Sequence, residues 1–192
     1  MAATRKTATK RTTAKPAPKK APAKRGATAK KSSPAATAAV EPVSKLPSFC
    51  LPASGNQTLS DRDFKGRKLV VYFYPRDNTP GCTLEAQDFR DRAKEFAQAG
   101  VALLGVSQDS VRSHDGFCAK QKLPFPLLSD VDGTLGNAFA VIKDKVLYGR
   151  KFVGIERSTF LFDRNGVLVK EWRKVKAPGH AAEVLQAVQA LS

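Results

Sequence analysis

The hydrophobic period of this chain changes once between Leu69 and Phe96, and that change constrains the fold more than any other feature. Leu69-Val70-Val71-Tyr72-Phe73-Tyr74 is a short continuous apolar run, which reads as a strand. It stops at the loop Pro75-Arg76-Asp77-Asn78-Thr79-Pro80-Gly81. Beyond the loop, Ala86, Phe89, Ala93 and Phe96 recur every three or four residues, the spacing of an amphipathic helix. Cys82 therefore falls in the first turn of a helix that follows a strand. Unsatisfied backbone N–H groups and the positive end of the helix dipole gather there. A thiol so placed ionises more readily, and the thiolate is the nucleophile. Two prolines and a glycine shape the approach, and Thr79 sets a hydroxyl three residues upstream. The pattern reads as a reactive cysteine; the alternative is a small buried thiol that fills the core.

The remaining elements follow in order. Phe49-Cys50-Leu51-Pro52 and Gln57-Thr58-Leu59 around Gly55-Asn56 predict a short hairpin. Ser60 to Phe64 predicts a helical turn ended by Gly66. The helix after Cys82 is expected to run to about Ala99, with Gly100 ending it. Val101 to Ser107 reads as a buried strand, Asp109 or Ser110 as the cap of a helix to about Lys122, and Phe125 to Asp130 as an extended piece. A short helix is expected over 134–139. Arg157 to Asp163 and Val167 to Trp172 predict a hairpin around Arg164-Asn165-Gly166. Ala182, Leu185, Val188 and Leu191 mark a last helix. The order implies an α/β fold with a mixed sheet, parallel at its centre and antiparallel at an edge.

Charge divides the 192 residues unevenly. Residues 1–44 hold eleven Lys/Arg against one acid, Glu41, a balance of +10 out of the chain's +16. This segment repeats Lys, Ala, Thr and Pro and has no aromatic residue. It cannot bury enough apolar surface to offset the entropy of ordering, so it is expected to be a disordered basic arm. The folded domain is expected over 45–192. The arm's composition resembles lysine-rich, linker-histone-like tails, and nonspecific nucleic-acid binding through phosphate charge is the favoured reading. A solubilising tail, a transit peptide and a nuclear signal on Lys19-Lys20 or Lys30-Lys31 stay open.

Cys50, Cys82 and Cys118 are the three cysteines. Their odd number and wide spacing argue against both a secreted disulfide framework and a zinc site. No apolar run reaches the length of a membrane span, and the N-terminus lacks the apolar core of a secretory signal. His114 and His180 have no metal partner at ligand spacing and read as surface or capping residues, and Asp130, Asp132 and Gly133 lack the rest of a calcium-loop pattern. Trp172 reads as core or edge packing. No metal and no organic cofactor is expected.

The spacing Pro75-x-x-x-Thr79-x-x-Cys82 resembles the peroxidatic-cysteine signature of the peroxiredoxins. The fuller string Phe73-Tyr74-Pro75 … Thr79-Pro80-Gly81-Cys82-Thr83, with Glu85, resembles the bacterioferritin comigratory protein, or peroxiredoxin Q, branch. Leu123 to Asp130 and Gly154 to Leu161 extend the likeness from about residue 45 to the C-terminus; the basic arm lies outside it. The resemblance implies a thioredoxin-like fold, its central mixed sheet flanked by helices. It also implies thiol-dependent reduction of hydrogen peroxide and organic hydroperoxides, with regeneration by thioredoxin or a similar dithiol.

The same resemblance implies the site. Cys82 would be the peroxidatic cysteine and Thr79 would orient the peroxide. Gly81 and Cys82 would donate from the backbone, Arg157 would hold the thiolate and the developing charge, Pro75 would keep water away, and Glu85 would buttress the arginine or the helix start. Many members of the branch carry a resolving thiol five residues after the first; here that position is Gln87. Cys118, on the following helix, is the next candidate, since a subgroup of the branch resolves from that helix, and one-cysteine behaviour is its rival. Cys50 reads as a core thiol. A disulfide needs Cα atoms within about 7 Å, so a Cys82–Cys118 bond implies that the first turn after Cys82 and the helix around Cys118 loosen, helped by Gly116. The expected protein is a monomer with no membrane association, in a bacterial cytoplasm; association with the nucleoid, a nucleus and a plastid are the alternative locations. A nucleic-acid-associated protein whose arm is its main function is the alternative reading.

Overall fold

The computed structural model describes residues 43–147 and 149–191; the expected basic arm lies outside the described residues but for its last two positions. The apolar run forms β3 (Lys68–Phe73), and two more parallel strands lie beside it, β4 (Val101–Ser107) and β5 (Leu127–Ser129). Antiparallel pairs close both edges. On one side are β8 (Ser158–Phe162) and β9 (Leu168–Trp172); on the other are β1 (Cys50–Ala53) and β2 (Gln57–Ser60). The seven strands run in the order β2-β1-β5-β4-β3-β8-β9. The expected N-terminal hairpin thus joins the same sheet, through Ala53 opposite Leu128. The sheet has two antiparallel edges where one was expected.

Alternation along β3 feeds two apolar layers, because successive side chains point to opposite faces. Val70, Tyr72 and Tyr74 share a layer with Cys82, Phe89, Phe96, Phe117 and Val184. The helices of that face are α1 (Pro80–Asp91), α2 (Ala93–Gln98), α3 (Val111–Gln121) and α5 (His180–Gln189). Leu69, Val71 and Phe73 pack on the opposite side with Leu135, Phe139, Phe160 and Phe162, where α4 (Thr134–Ala138) lies. The parallel strands bury both faces, which is why they read as continuous apolar runs and not as alternating ones.

Several expectations change. The helix expected to run unbroken to Ala99 divides at Arg92, which leaves helical geometry with φ −102° and ψ 3° while its N–H turns to the Arg90 carbonyl. Gly100, at φ 71°, takes the left-handed conformation that ends α2. A two-stranded ribbon of β6 (Ile142–Leu147) and β7 (Arg150–Ile155) was not anticipated. Its strands carry Lys143, Asp144 and Lys145 among exposed apolar residues such as Val146 and Val153, so no clean alternation marks it. Cys50, expected in the core, is exposed, because it lies on β1, near the sheet edge. His114 and His180, expected as surface or capping residues, are buried, for reasons that belong to the site.

Candidate active site

Thr79 is the N-cap residue of α1 and Pro80 its first residue, where a missing N–H costs nothing. Gly81 and Cys82 come next, so their N–H groups have no partner within the helix. The first-turn bond that does form runs from Thr83 N to Thr79 O at 2.9 Å. The Thr79 hydroxyl donates to the Arg76 carbonyl at 3.0 Å, which leaves its oxygen free to accept. Cys82 is 2% exposed.

Arg157 comes from the junction between β7 and β8. Its Nη2 lies 3.3 Å from Cys82 Sγ. Its Nη1 is ion-paired with Glu85 Oε2, one helical turn beyond the cysteine. A Cβ at Gly81 would stand 3.3 Å from Nη2, so the glycine lets the guanidinium come against the helix start. Burial opposes the Arg157 charge, but Glu85 and the Cys82 sulfur outweigh it and hold the guanidinium charged more firmly than usual. Burial pushes the Glu85 carboxyl up to about 7 even though Arg157 pulls it down. The other carboxyl oxygen, Oε1, is buried without a hydrogen-bond partner. Pro75 is exposed, beside a groove shared with Arg76, Asp109 and the β7 residues Phe152 to Ile155. The structure thus brings Cys82, Glu85, Gly81 and Arg157 into contact, with Thr79 at the same helix start.

Cys118 lies on α3, half-buried, with its thiol facing Ser54 and a groove that includes Asp115, Leu123 and Pro124. Burial pushes this thiol up, against the Ser54 hydrogen bond. All three cysteines are free thiols.

Behind the loop is a polar cluster that sequence reasoning missed. Asp77 Oδ1 accepts from Tyr74 Oη at 2.8 Å, and Oδ2 accepts from Ser113 Oγ at 2.7 Å and faces His114 Nδ1 at 2.9 Å. Asp77 N donates to Asp109 Oδ2 at 2.8 Å. His114 Nε2 faces the Leu128 carbonyl at 3.1 Å. The Tyr74 hydroxyl also lies 3.4 Å from His114 Nδ1, so the ring, the carboxylate and the phenol form one buried polar cluster. His114 is therefore a buried partner of the active loop and not a surface residue. His180 is likewise buried, at α5's start, with Nε2 2.8 Å from Thr159 Oγ1. Nothing in the spacing of Asp77 and His114 announces their contact, because the parallel crossover from β3 to β4 brings them together. Among the described residues no group of three or more His, Cys, Asp or Glu could hold a metal ion, and no helix is long and apolar enough to cross a membrane.

Comparisons with known proteins point to one family. The AhpC/TSA family model matches residues 42–171. Peroxiredoxin Bcp of Xanthomonas campestris pv. campestris is 54% identical over 140 residues, 73% of this chain and 88% of that protein. Peroxiredoxin Bcp of Bacillus subtilis is 48% identical over 148 residues, 77% of this chain and 94% of that protein. A solved structure of the Xanthomonas campestris bacterioferritin comigratory protein, described for its alkyl peroxide reduction activity, superposes with a TM-score of 0.72 at 52% identity, covering 74% of this chain and 91% of that one. A cysteine-to-serine mutant of Xylella fastidiosa PrxQ superposes with a TM-score of 0.74 at 44% identity, covering 79% and 98%. With its thioredoxin-like fold and a cysteine at the helix start, the chain belongs to the AhpC/TSA family, as a peroxiredoxin of the Bcp/peroxiredoxin Q branch.

Proposed function

We propose that residues 45–192 form a thiol peroxidase that reduces hydrogen peroxide and organic hydroperoxides at Cys82. The observation that carries this reading is the 3.3 Å contact of Arg157 with Cys82 Sγ. The thiolate sulfur bonds to one peroxide oxygen while the O–O bond breaks. Cys82 is oxidised to a sulfenic acid, and the other oxygen leaves as hydroxide or alkoxide and takes up a proton. The free N–H groups of Gly81 and Cys82 and the Arg157 guanidinium face the charge that develops on oxygen. Thr79, whose own hydrogen is held by Arg76, accepts from the peroxide O–H. Glu85 holds Arg157 in place.

Cys118 resolves the sulfenic acid. Its sulfur attacks the Cys82 sulfur, the S–S bond forms, the S–O bond breaks, and hydroxide leaves and is protonated. Thioredoxin or a similar dithiol then reduces the disulfide. The protein works as a monomer in a bacterial cytoplasm. Peroxide consumption by the full chain is expected to vanish in Cys82→Ser; turnover by that variant sinks the reading. Mass spectrometry of peroxide-treated protein is expected to find a Cys82–Cys118 crosslink, and its absence removes the role of Cys118.

The balance of +10 over residues 1–44 favours a second, compatible role, in which the arm binds nucleic acid nonspecifically and holds the enzyme there. DNA mobility is expected to shift at low salt with the full chain and not after deletion of 1–44. An unchanged mobility with the full chain refutes it.

A further inference from the structure

α3, the helix that carries Cys118, is held near the thiol by Gly55 N on Asp115 Oδ1 at 2.7 Å, by Ser54 on the thiol and by the buried Phe117. It is also tied down on both sides of the thiol by two further sets of bonds that differ in kind. On the N-terminal side Ser113 and His114 are bonded to the Asp77 carboxylate, and His114 is also held by Leu128 O. Ser110 caps the same turn. On the C-terminal side Gln87 Nε2 donates to Gln121 Oε1 at 2.9 Å, and Arg90 Nη1 donates to the Gln121 carbonyl at 2.9 Å. Both donors stand on α1, the helix that begins around Cys82. The first tie is buried and charge-assisted; in the second, the side-chain bond is a neutral amide pair, partly exposed, and bonds of that kind are the weaker ones. Between them lies Gly116, which is exposed and has open space where a Cβ would be, so the helix is weakest just before Cys118.

We infer that Gln87 and Gln121 are positioning residues of the disulfide step: their amide bond clasps α1 to the Cys118 half of α3. Its release lets residues 117–122 swing toward Cys82 while the turn at Ser113 and His114 stays docked. The inference rests on the reading of Cys118 as the resolving thiol. It gives a use to the residue found where other members of the branch have a second thiol. While the clasp is closed, the sulfenic acid on Cys82 stays exposed to a second peroxide, which would oxidise it to the sulfinic acid. Clasp strength therefore sets how Cys82 divides between disulfide and overoxidation.

Gln87→Ala and Gln121→Ala in the full chain test this by quenched-flow mass spectrometry and hydrogen exchange. Alanine is the strongest helix former, so any loosening comes from the lost amide bond. Each variant is expected to form the Cys82–Cys118 disulfide about fivefold faster, the scale of one neutral hydrogen bond. The sulfinic fraction at fixed peroxide falls in step, and the rate of Cys82 oxidation is unchanged. The double variant is expected to be no faster than either single one. Amides of 117–122 exchange faster in the variants, and those of 111–114 do not. Unchanged disulfide rates, or exchange that rises equally along α3, overturn the inference. If the unmodified chain forms no Cys82–Cys118 disulfide, the resolving role of Cys118 fails, and hydrogen exchange still decides whether the clasp exists.

Discussion

Arg157 Nη2 lies 3.3 Å from Cys82 Sγ across 75 residues of sequence, and the same guanidinium is ion-paired with Glu85. One cation thereby joins the nucleophile to the next turn of its own helix. Because Arg157 is planar and forked, it serves both partners at once, which the single ammonium of a lysine does not do. Arg157→Lys is expected to lower the second-order rate of Cys82 oxidation by about 10²–10³-fold, the scale of removing one preorganised donor, with thermal stability little changed. Stopped-flow oxidation kinetics give the test; a loss below about threefold would remove Arg157 from the chemistry.

Glu85 and His180 impose opposite pH slopes over nearly the same range. Burial, opposed by Arg157, pushes Glu85 up from 4.5 to about 7. Between those values the folded chain keeps a proton that the unfolded chain has released, so this group makes stability fall as pH rises. Burial, opposed by Glu183 and Asp88, pushes His180 down from 6.5 to about 4. There the unfolded chain binds the proton, so stability falls as pH drops. Each slope integrates to about 3 kcal/mol, and where they overlap they offset one another. Glu85→Gln is expected to unmask acid lability, and His180→Gln a decline toward neutral pH. Urea midpoints measured from pH 4 to 8 check this; three parallel profiles would count against both assignments.

Asp77 anchors the loop to α3. Its burial alone would raise its pKa, but hydrogen bonds from His114 and Ser113 overcome that and hold it below the ordinary 3.8. Its stabilising contribution is therefore present above that value and is lost as pH falls below it. Asp77→Ala leaves the buried Tyr74 hydroxyl and the His114 ring without their carboxylate partner, a loss expected to cost about 1–3 kcal/mol. Urea unfolding at pH 7 measures it, and a change under about 1 kcal/mol would show that the pair does not hold the loop.

The Pro75–Glu85 string was legible because every local cue agreed. An apolar run stops at proline, a glycine and a threonine precede the cysteine, and helical spacing follows. Arg157 was legible only through its likeness to a family, since nothing around it in the chain points back to Cys82. The ribbon from Ile142 to Ile155 escaped because its charged strands lack a two-residue period. His114 was misread because a histidine's neighbours in sequence do not reveal a carboxylate that comes from another element. Gln87 was noted for the thiol it replaces, while its bond to Gln121 could be seen only once α1 and α3 were packed.

By itself the sequence determined the strand–loop–helix unit, the place of Cys82 in its first turn and the charge of the N-terminal segment, because these depend on period, backbone preference and composition. The tertiary structure alone decided which distant groups reach that turn: Arg157 onto the sulfur, Asp77 onto His114, Gln121 onto Gln87. Those contacts depend on how strands β3, β4 and β8 are ordered in the sheet and on which face each helix covers, and hydrophobic pattern specifies burial without specifying the partner.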